Sequence, residues 1–268
     1  MGRKRLPFSS LQKKRGNEIM LLEENKKYWT NRTMGYSQVN EKELSSSQKE
    51  KWLDVITRYL PGDRKNIKVL DMGTGPGFFA IILAEAGFHV TAVDCTESML
   101  NRAKINAGEL KERITWVLSD AEKTGLESES YDAVVSRNVT WNLKEPEKAY
   151  REWLRVLKKG GVLLNFDANW YQYLFDDEKR KGYETDRKRV KEQCVEDHYT
   201  CTDIDAMESI AKKLPLSSRC RPQWDLEVLN SLTVSKVKSD PDVWKQVWSD
   251  EEKINYNSTP MFSIYAIK

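Results

Sequence analysis

Histidine is scarce: the 268 residues hold two, His89 and His198, which excludes a His-rich metal centre. Cysteine is nearly as scarce. Cys95, Cys194, Cys201 and Cys220 stand at spacings that fit neither a zinc module nor a dense disulfide framework, so reduced thiols are expected. No apolar run approaches the roughly 18–20 residues a membrane helix needs, and the amino terminus shows no signal-peptide core. A soluble cytoplasmic chain with no membrane partner is therefore expected. Charge of one sign is lacking too: 44 Lys and Arg against 41 Asp and Glu leave +3. Hydrophobic residues, at 39%, suffice for a packed core, and the length favours one domain with an insertion or cap.

The near-zero balance hides an asymmetry. Residues 1–17 hold six basic groups (Arg3, Lys4, Arg5, Lys13, Lys14 and Arg15) and no acid. Such a flexible arm is either a solvated tail or a contact for nucleic acid or an anionic surface. The remaining chain is not basic, so nucleic acid is not the expected partner.

From Glu41 to Leu60, Trp52, Val55, Ile56, Tyr59 and Leu60 recur at helical spacing. Strands are then predicted at Ile67–Asp71, His89–Asp94, Thr115–Ser119, Tyr131–Ser136 and Val162–Phe166. Helices fall between them at about Pro76–Ala86, Ser98–Ala107 and Pro146–Leu157, with Lys158-Lys-Gly-Gly161 read as the basic last turn and glycine stop of the third. This alternation specifies an α/β, doubly wound, mostly parallel sheet, in which ligands bind at the carboxyl ends of the strands. Polar residues mark each such end: Asp71, Asp94, Ser119-Asp120, Ser136-Arg137-Asn138 and Asp167. The expected organisation is a basic arm (1–17), an amino-terminal helical cap (18–62), the α/β core (63–167), a helical insertion or lid after the fifth strand (168–223) and strands completing the sheet (224–268). A sixth strand is placed near Trp224–Leu229 and the last at Met261–Lys268. Asp203 is a candidate N-cap for Ile204–Leu214, and Pro241 opens a short helix with Trp244 and Trp248.

Asp71-Met-Gly73-Thr-Gly75-Pro-Gly77 lies between a strand and a helix, where glycines let backbone approach a ligand closely. A dinucleotide fingerprint needs glycine or alanine at position 78, and Phe78 stands there. An acid two residues before the first glycine suits a cationic ammonium and sulfonium better than an anionic pyrophosphate. With Asp94 closing the second strand, Ser119-Asp120-Ala121 after the third and Leu157-Lys-Lys-Gly-Gly-Val-Leu before the fifth, the chain resembles the class I S-adenosylmethionine-dependent methyltransferases over about residues 28–167. The similarity is greatest to the small-molecule branch containing the quinone-biosynthesis methyltransferases.

That resemblance implies a Rossmann-like fold, S-adenosylmethionine as cofactor and a small-molecule methyl acceptor. It places Asp71 near the methionyl ammonium and the loop of Gly73, Gly75 and Gly77 against the cofactor. Asp94 would take the ribose hydroxyls. Cys95 and Met99 would border the adenine, and Asp120 with Ala121 would read its edge. Arg137 and Asn138 would face the methionine part. Tyr28 and Tyr36 resemble an aromatic segment that closes over the cofactor, where a sulfonium gains cation–π attraction. Read without the resemblance, Asp71 and Asp94 could cap helices, Cys95 could be packing, and Tyr28 and Tyr36 could be core residues.

Methyl transfer is an in-line displacement at an activated carbon, so alignment and closure are what the protein must supply. A base is needed only where the acceptor loses a proton; His198, beside Tyr199, is the histidine candidate, with a surface position as the alternative. Exocyclic-amine methylation of nucleic acid or glutamine is argued against by Ser136-Arg-Asn-Val-Thr-Trp141, which lacks the Asn/Asp-Pro-Pro-aromatic motif. Pyrimidine C5 methylation lacks its cysteine, and Cys194, Cys201 and Cys220 are spaced too widely for a local arsenic site. Trp141, Trp170, Tyr171 and His198 are the candidate acceptor-binding residues; the aromatics among them could equally bury the insertion. Two other readings stay open: a nucleic-acid methyltransferase using the basic arm, and a non-catalytic S-adenosylmethionine-binding regulator.

Overall fold

The computed structural model describes residues 8–60, 62–199 and 202–268 and, from Met20 onward, their side chains. Two helices, α1 (Phe8–Leu44) and α2 (Gln48–Thr57), precede the sheet. The helix expected over Glu41–Leu60 is therefore broken at residues 45–47. α1 begins inside the basic 1–17 segment, of which residues 1–7 lie outside the described part.

The core alternates β1 (Lys68–Met72), α3 (Phe78–Glu85), β2 (His89–Asp94), α4 (Glu97–Ala107), β3 (Ile114–Leu118), β4 (Tyr131–Arg137), α5 (Pro146–Val156) and β5 (Leu157–Asp167). The insertion follows as α6 (Asp177–Glu192), α7 (Ile204–Ala211) and α8 (Gln223–Asn230). Then come β6 (Lys236–Asp240), α9 (Trp244–Val247), α10 (Asp250–Asn255) and β7 (Phe262–Ile267). The seven strands lie in the order β3-β2-β1-β4-β5-β7-β6. β1 to β5 pair in parallel, and β7 is antiparallel to both β5 and β6. The winding reverses between β1 and β4, which opens a crevice at their carboxyl ends.

Burial explains the strand sequences. Val69 to Met72 are all buried, as a central parallel strand covered on both faces requires. One face is filled from α2 and α3, where Trp52 meets Phe79 and Phe166 edge-on at 5.1 and 5.0 Å. The other is filled from α5, whose Ala149, Tyr150, Trp153 and Leu154 form one buried stripe after Pro146 at the first turn.

Two expectations are corrected. Trp224–Leu229 is not a strand but most of α8, which starts after Pro222 and buries Asp225 and Leu229 one helical turn apart. The sixth strand is Lys236–Asp240, whose lysines and exposed positions are those of a protected sheet edge rather than of a buried strand. Lys158–Gly161 is likewise not the end of α5. The helix stops at Val156, and this stretch is the start of β5 because the carboxyl end of the chain pairs with it: Gly160 N–H donates to Lys268 O (2.9 Å) and Lys268 N–H to Gly161 O (3.0 Å). Asp203 does cap α7, accepting from Ala206 N–H.

Candidate functional site

The glycine loop leaves β1 and is stapled by two carboxylates. Asp71 is buried and accepts from Thr74 Oγ1 at 2.6 Å. Asp94, at the end of β2, accepts the N–H of Gly75 at 2.9 Å and of Thr96 at 2.8 Å. Burial pushes the Asp71 carboxyl up to about 7 against the Thr74 hydrogen bond. It also raises Asp94, against the amides that bond it. Gly73 has φ +69°, and a Cβ there would stand 2.3 Å from Val139 Cγ2, so glycine is required for the loop to pass β4.

A cavity of about 110 Å³ opens over this loop. Gly73, Gly75, Asp94, Cys95 and Met99 line it, as do Asp120 and Ala121 after β3. Tyr36, Arg137 and Asn138 close its far side. Three residues expected around a cofactor do not line it. Asp71 lies beneath the loop, Gly77 caps α3 and abuts Ala103, and Tyr28 belongs to a second cavity. Burial pushes the Cys95 thiol up to about 11, which keeps it protonated and a poor nucleophile.

The second cavity, about 790 Å³, lies between α1, the loops after β4 and β5, and the segment from Trp248 to Met261. All four expected acceptor residues, Trp141, Trp170, Tyr171 and His198, line it. The two cavities share one wall: Trp29, Tyr36, Arg137 and Asn138. Trp29 and Tyr36 stand seven residues apart on α1, so they share a face, and their rings meet at 5.6 Å. Trp29 Nε1 is buried with no hydrogen-bond partner, a donor left for a ligand at the junction. Asn138 holds the wall in the left-handed region (φ +58°). Its Oδ1 accepts from Trp170 Nε1 at 3.2 Å and its carbonyl from Trp141 Nε1 at 2.9 Å.

Arg137 lines both cavities, and its guanidinium is already engaged. It donates two hydrogen bonds to Glu43 of α1 (2.6 and 2.9 Å) and stacks over Phe78 at 4.5 Å. His198 is held on both ring nitrogens, Nδ1 to Tyr256 Oη at 3.0 Å and Nε2 to Glu251 Oε1 at 2.9 Å. Behind the chamber is a fully buried ionic cluster: Arg221 lies between Asp167 (2.7 Å) and Asp225 (2.7 Å), and Asp167 also accepts the N–H of Trp141 at 2.9 Å. Glu43, Arg221, Glu252 and Tyr256 were not singled out from the sequence. Trp29 was not singled out either; its place seven residues before Tyr36 is the sequence signal that could have paired the two on one helix face.

Among the described residues, no group of three or more His, Cys, Asp or Glu could hold a metal ion, and no helix is long and apolar enough to cross a membrane. Cys95, Cys194 and Cys220 are unpaired, and Cys201 lies outside the described part.

Residues 70–165 match the methyltransferase-domain family. Over that stretch the chain is similar to a methyltransferase domain. The resemblance to class I S-adenosylmethionine-dependent methyltransferases read from the glycine loop and strand ends is borne out. A demethylmenaquinone methyltransferase of Clavibacter sepedonicus is 32% identical over 158 residues, covering 57% of this chain and 60% of that protein. The chain spans less than two thirds of the length of the curated relatives it matches. The fold is shared with two solved structures. Phosphoethanolamine N-methyltransferase 2 of Haemonchus contortus, solved with S-adenosyl-L-methionine, has TM-score 0.58 and 18% identity over 81% of this chain and 51% of that one. A SAM-dependent methyltransferase of Aquifex aeolicus has TM-score 0.52 and 20% identity over 85% and 96%.

Proposed function

We propose that the protein transfers the methyl group of S-adenosylmethionine to a small organic acceptor held in the larger cavity. The observation that carries this reading is the single wall of Trp29, Tyr36, Arg137 and Asn138 between a glycine-loop cavity and an aromatic chamber. A group transferred across that wall travels a short path out of water.

The residues fit the cofactor. Asp94 lines the cavity and would take the ribose hydroxyls, and Asp120 with the Ala121 amide, on the same lining, would read the adenine edge. Cys95 and Met99 border that end. Asp71, buried and hard to ionise alone, gains from a nearby ammonium. When bound, the cofactor supplies an electrophilic methyl on a sulfonium. The chain's own residues orient the acceptor, exclude water and stabilise charge. Tyr28 and Tyr36 present rings on the α1 side, and Trp141, Trp170 and Tyr171 on the opposite loops.

Transfer of labelled methyl from S-adenosylmethionine to a panel of phenols, quinols and amines, with total RNA in a parallel arm, tests the reading. Labelled small-molecule product is expected. Label in RNA alone, or cofactor binding with no transfer to any acceptor, overturns it in favour of the nucleic-acid or the regulatory reading.

A further inference from the structure

The larger chamber carries charge as well as aromatic surface. Three of its glutamates are balanced by cations: Glu41 by Arg102 (2.6 Å), Glu43 by Arg137 (2.6 Å) and Glu196 by Lys42 (2.8 Å). The two on α10 have no cation of their own in ion-pair contact, and Arg137, already paired with Glu43, attracts Glu252 only from farther off. Glu251 bonds His198, and Glu252 takes only neutral donors: Gln48 Nε2 at 2.6 Å, Ser249 N–H at 2.8 Å and Ser249 Oγ at 3.0 Å. Among the described lining residues the one other cation is Arg32, on α1. Beside these acids Tyr256 is the hub of an aromatic cluster, with Trp170 at 5.2 Å, His198 at 5.5 Å, Trp248 at 5.6 Å and Tyr199 at 5.8 Å.

The sign of charge that develops on the acceptor decides which class fits. A phenolate or quinolate brings a negative charge to a chamber whose α10 glutamates have no Lys or Arg partner of their own, and π faces repel it. A cationic nitrogen is attracted by both. Resting on the methyltransferase reading above, we propose that the acceptor is a small aliphatic amine, bound between the Tyr256 cluster and Glu252, whose proton leaves through Tyr256 Oη to His198.

The balance is complete. The bound ammonium gives one proton to Tyr256 Oη as the tyrosine's own proton passes to His198 Nδ1, 3.0 Å away; the imidazolium is then held by Glu251 at 2.9 Å. The freed nitrogen lone pair forms the N–CH₃ bond, and the C–S pair stays on sulfur as a thioether. The positive charge moves from sulfur to nitrogen, toward the glutamates. Tyr256 touches the acceptor; His198 and Glu251 act behind it.

Tetramethylammonium, which mimics a methylated product and has no proton to lose, separates binding from proton removal. It is titrated by tryptophan fluorescence with and without S-adenosylhomocysteine, beside 2-naphthol. Saturable ammonium binding is expected, weakened about tenfold in Glu252→Gln, which keeps the capping box with Ser249, and unchanged in Tyr256→Phe. On short secondary amines, Tyr256→Phe should lose about a hundredfold in kcat at unchanged KM. Failure of tetramethylammonium to bind while 2-naphthol does, or equal kcat in Tyr256→Phe, overturns the proposal. Failure of S-adenosylhomocysteine to bind instead overturns the methyltransferase reading, so the two failures are distinct.

Discussion

The glycine-loop cavity and the aromatic chamber meet at one wall but are assembled in different ways. The first takes its residues from the carboxyl ends of four neighbouring strands, Asp120 after β3, Asp94 at the end of β2, Gly73 after β1 and Arg137 at the end of β4, so the sheet itself brings them side by side. The second gathers Trp29 of α1, Trp141 and Trp170 from two loops, His198 from the insertion and Tyr256 beyond α10. Nothing local fixes that gathering. It rests on buried ionic and aromatic contacts between distant segments, and the two regions should therefore break in different ways.

The largest effect is expected behind the chamber. Arg221→Met leaves Asp167 and Asp225 buried without their cation, which costs about 3–5 kcal/mol. Melting should fall by roughly 10 °C for a chain of this size. Affinity for S-adenosylhomocysteine should stay close to wild type in the folded fraction, because the glycine loop is untouched. A variant that melts normally would show the cluster to be incidental.

Next comes a pH effect in the core. Asp71 titrates near 7 when folded, whereas an unfolded aspartate titrates near 3.9. Between those values the folded form binds more protons than the unfolded one. Stability is therefore lost as pH rises from about 4 to 7, by on the order of 3–4 kcal/mol. Ligand-free melting curves at pH 5 and pH 7.5 should show the fall, and Asp71→Asn should flatten it. An unchanged slope in that variant would contradict the assignment.

Asp94→Ala should weaken S-adenosylhomocysteine about thirty- to a hundredfold, or roughly 2–3 kcal/mol, by calorimetry. Because the carboxylate also takes the Gly75 and Thr96 amides, the unliganded protein should lose about 1 kcal/mol as well. Loss of stability at unchanged affinity would make Asp94 a loop staple only.

The same contrast explains what the sequence made legible. The sheet was readable because buried parallel strands are apolar runs and their polar ends recur at regular intervals, as in Ala133–Val135 followed by Ser136 and Arg137. β6 was hidden because an edge strand of Lys-Val-Lys-Ser-Asp needs neither alternation nor bulk. Trp141, Trp170, Tyr171 and His198 pointed to the chamber through their place after strands or within the insertion. Glu43, Glu252 and Tyr256 gave no such signal, since each acquires its role only by meeting a residue dozens to hundreds of positions away. Arg221 looks like any solvated arginine until Asp167 and Asp225 enclose it.

The central claim is that the acidic glycine loop serves a cationic adenosyl cofactor. Calorimetric titration of the wild-type protein with S-adenosylhomocysteine and, separately, with NAD tests it most directly. The account predicts one-to-one binding of S-adenosylhomocysteine and no heat of binding from NAD. Tight NAD binding with no response to S-adenosylhomocysteine would contradict it.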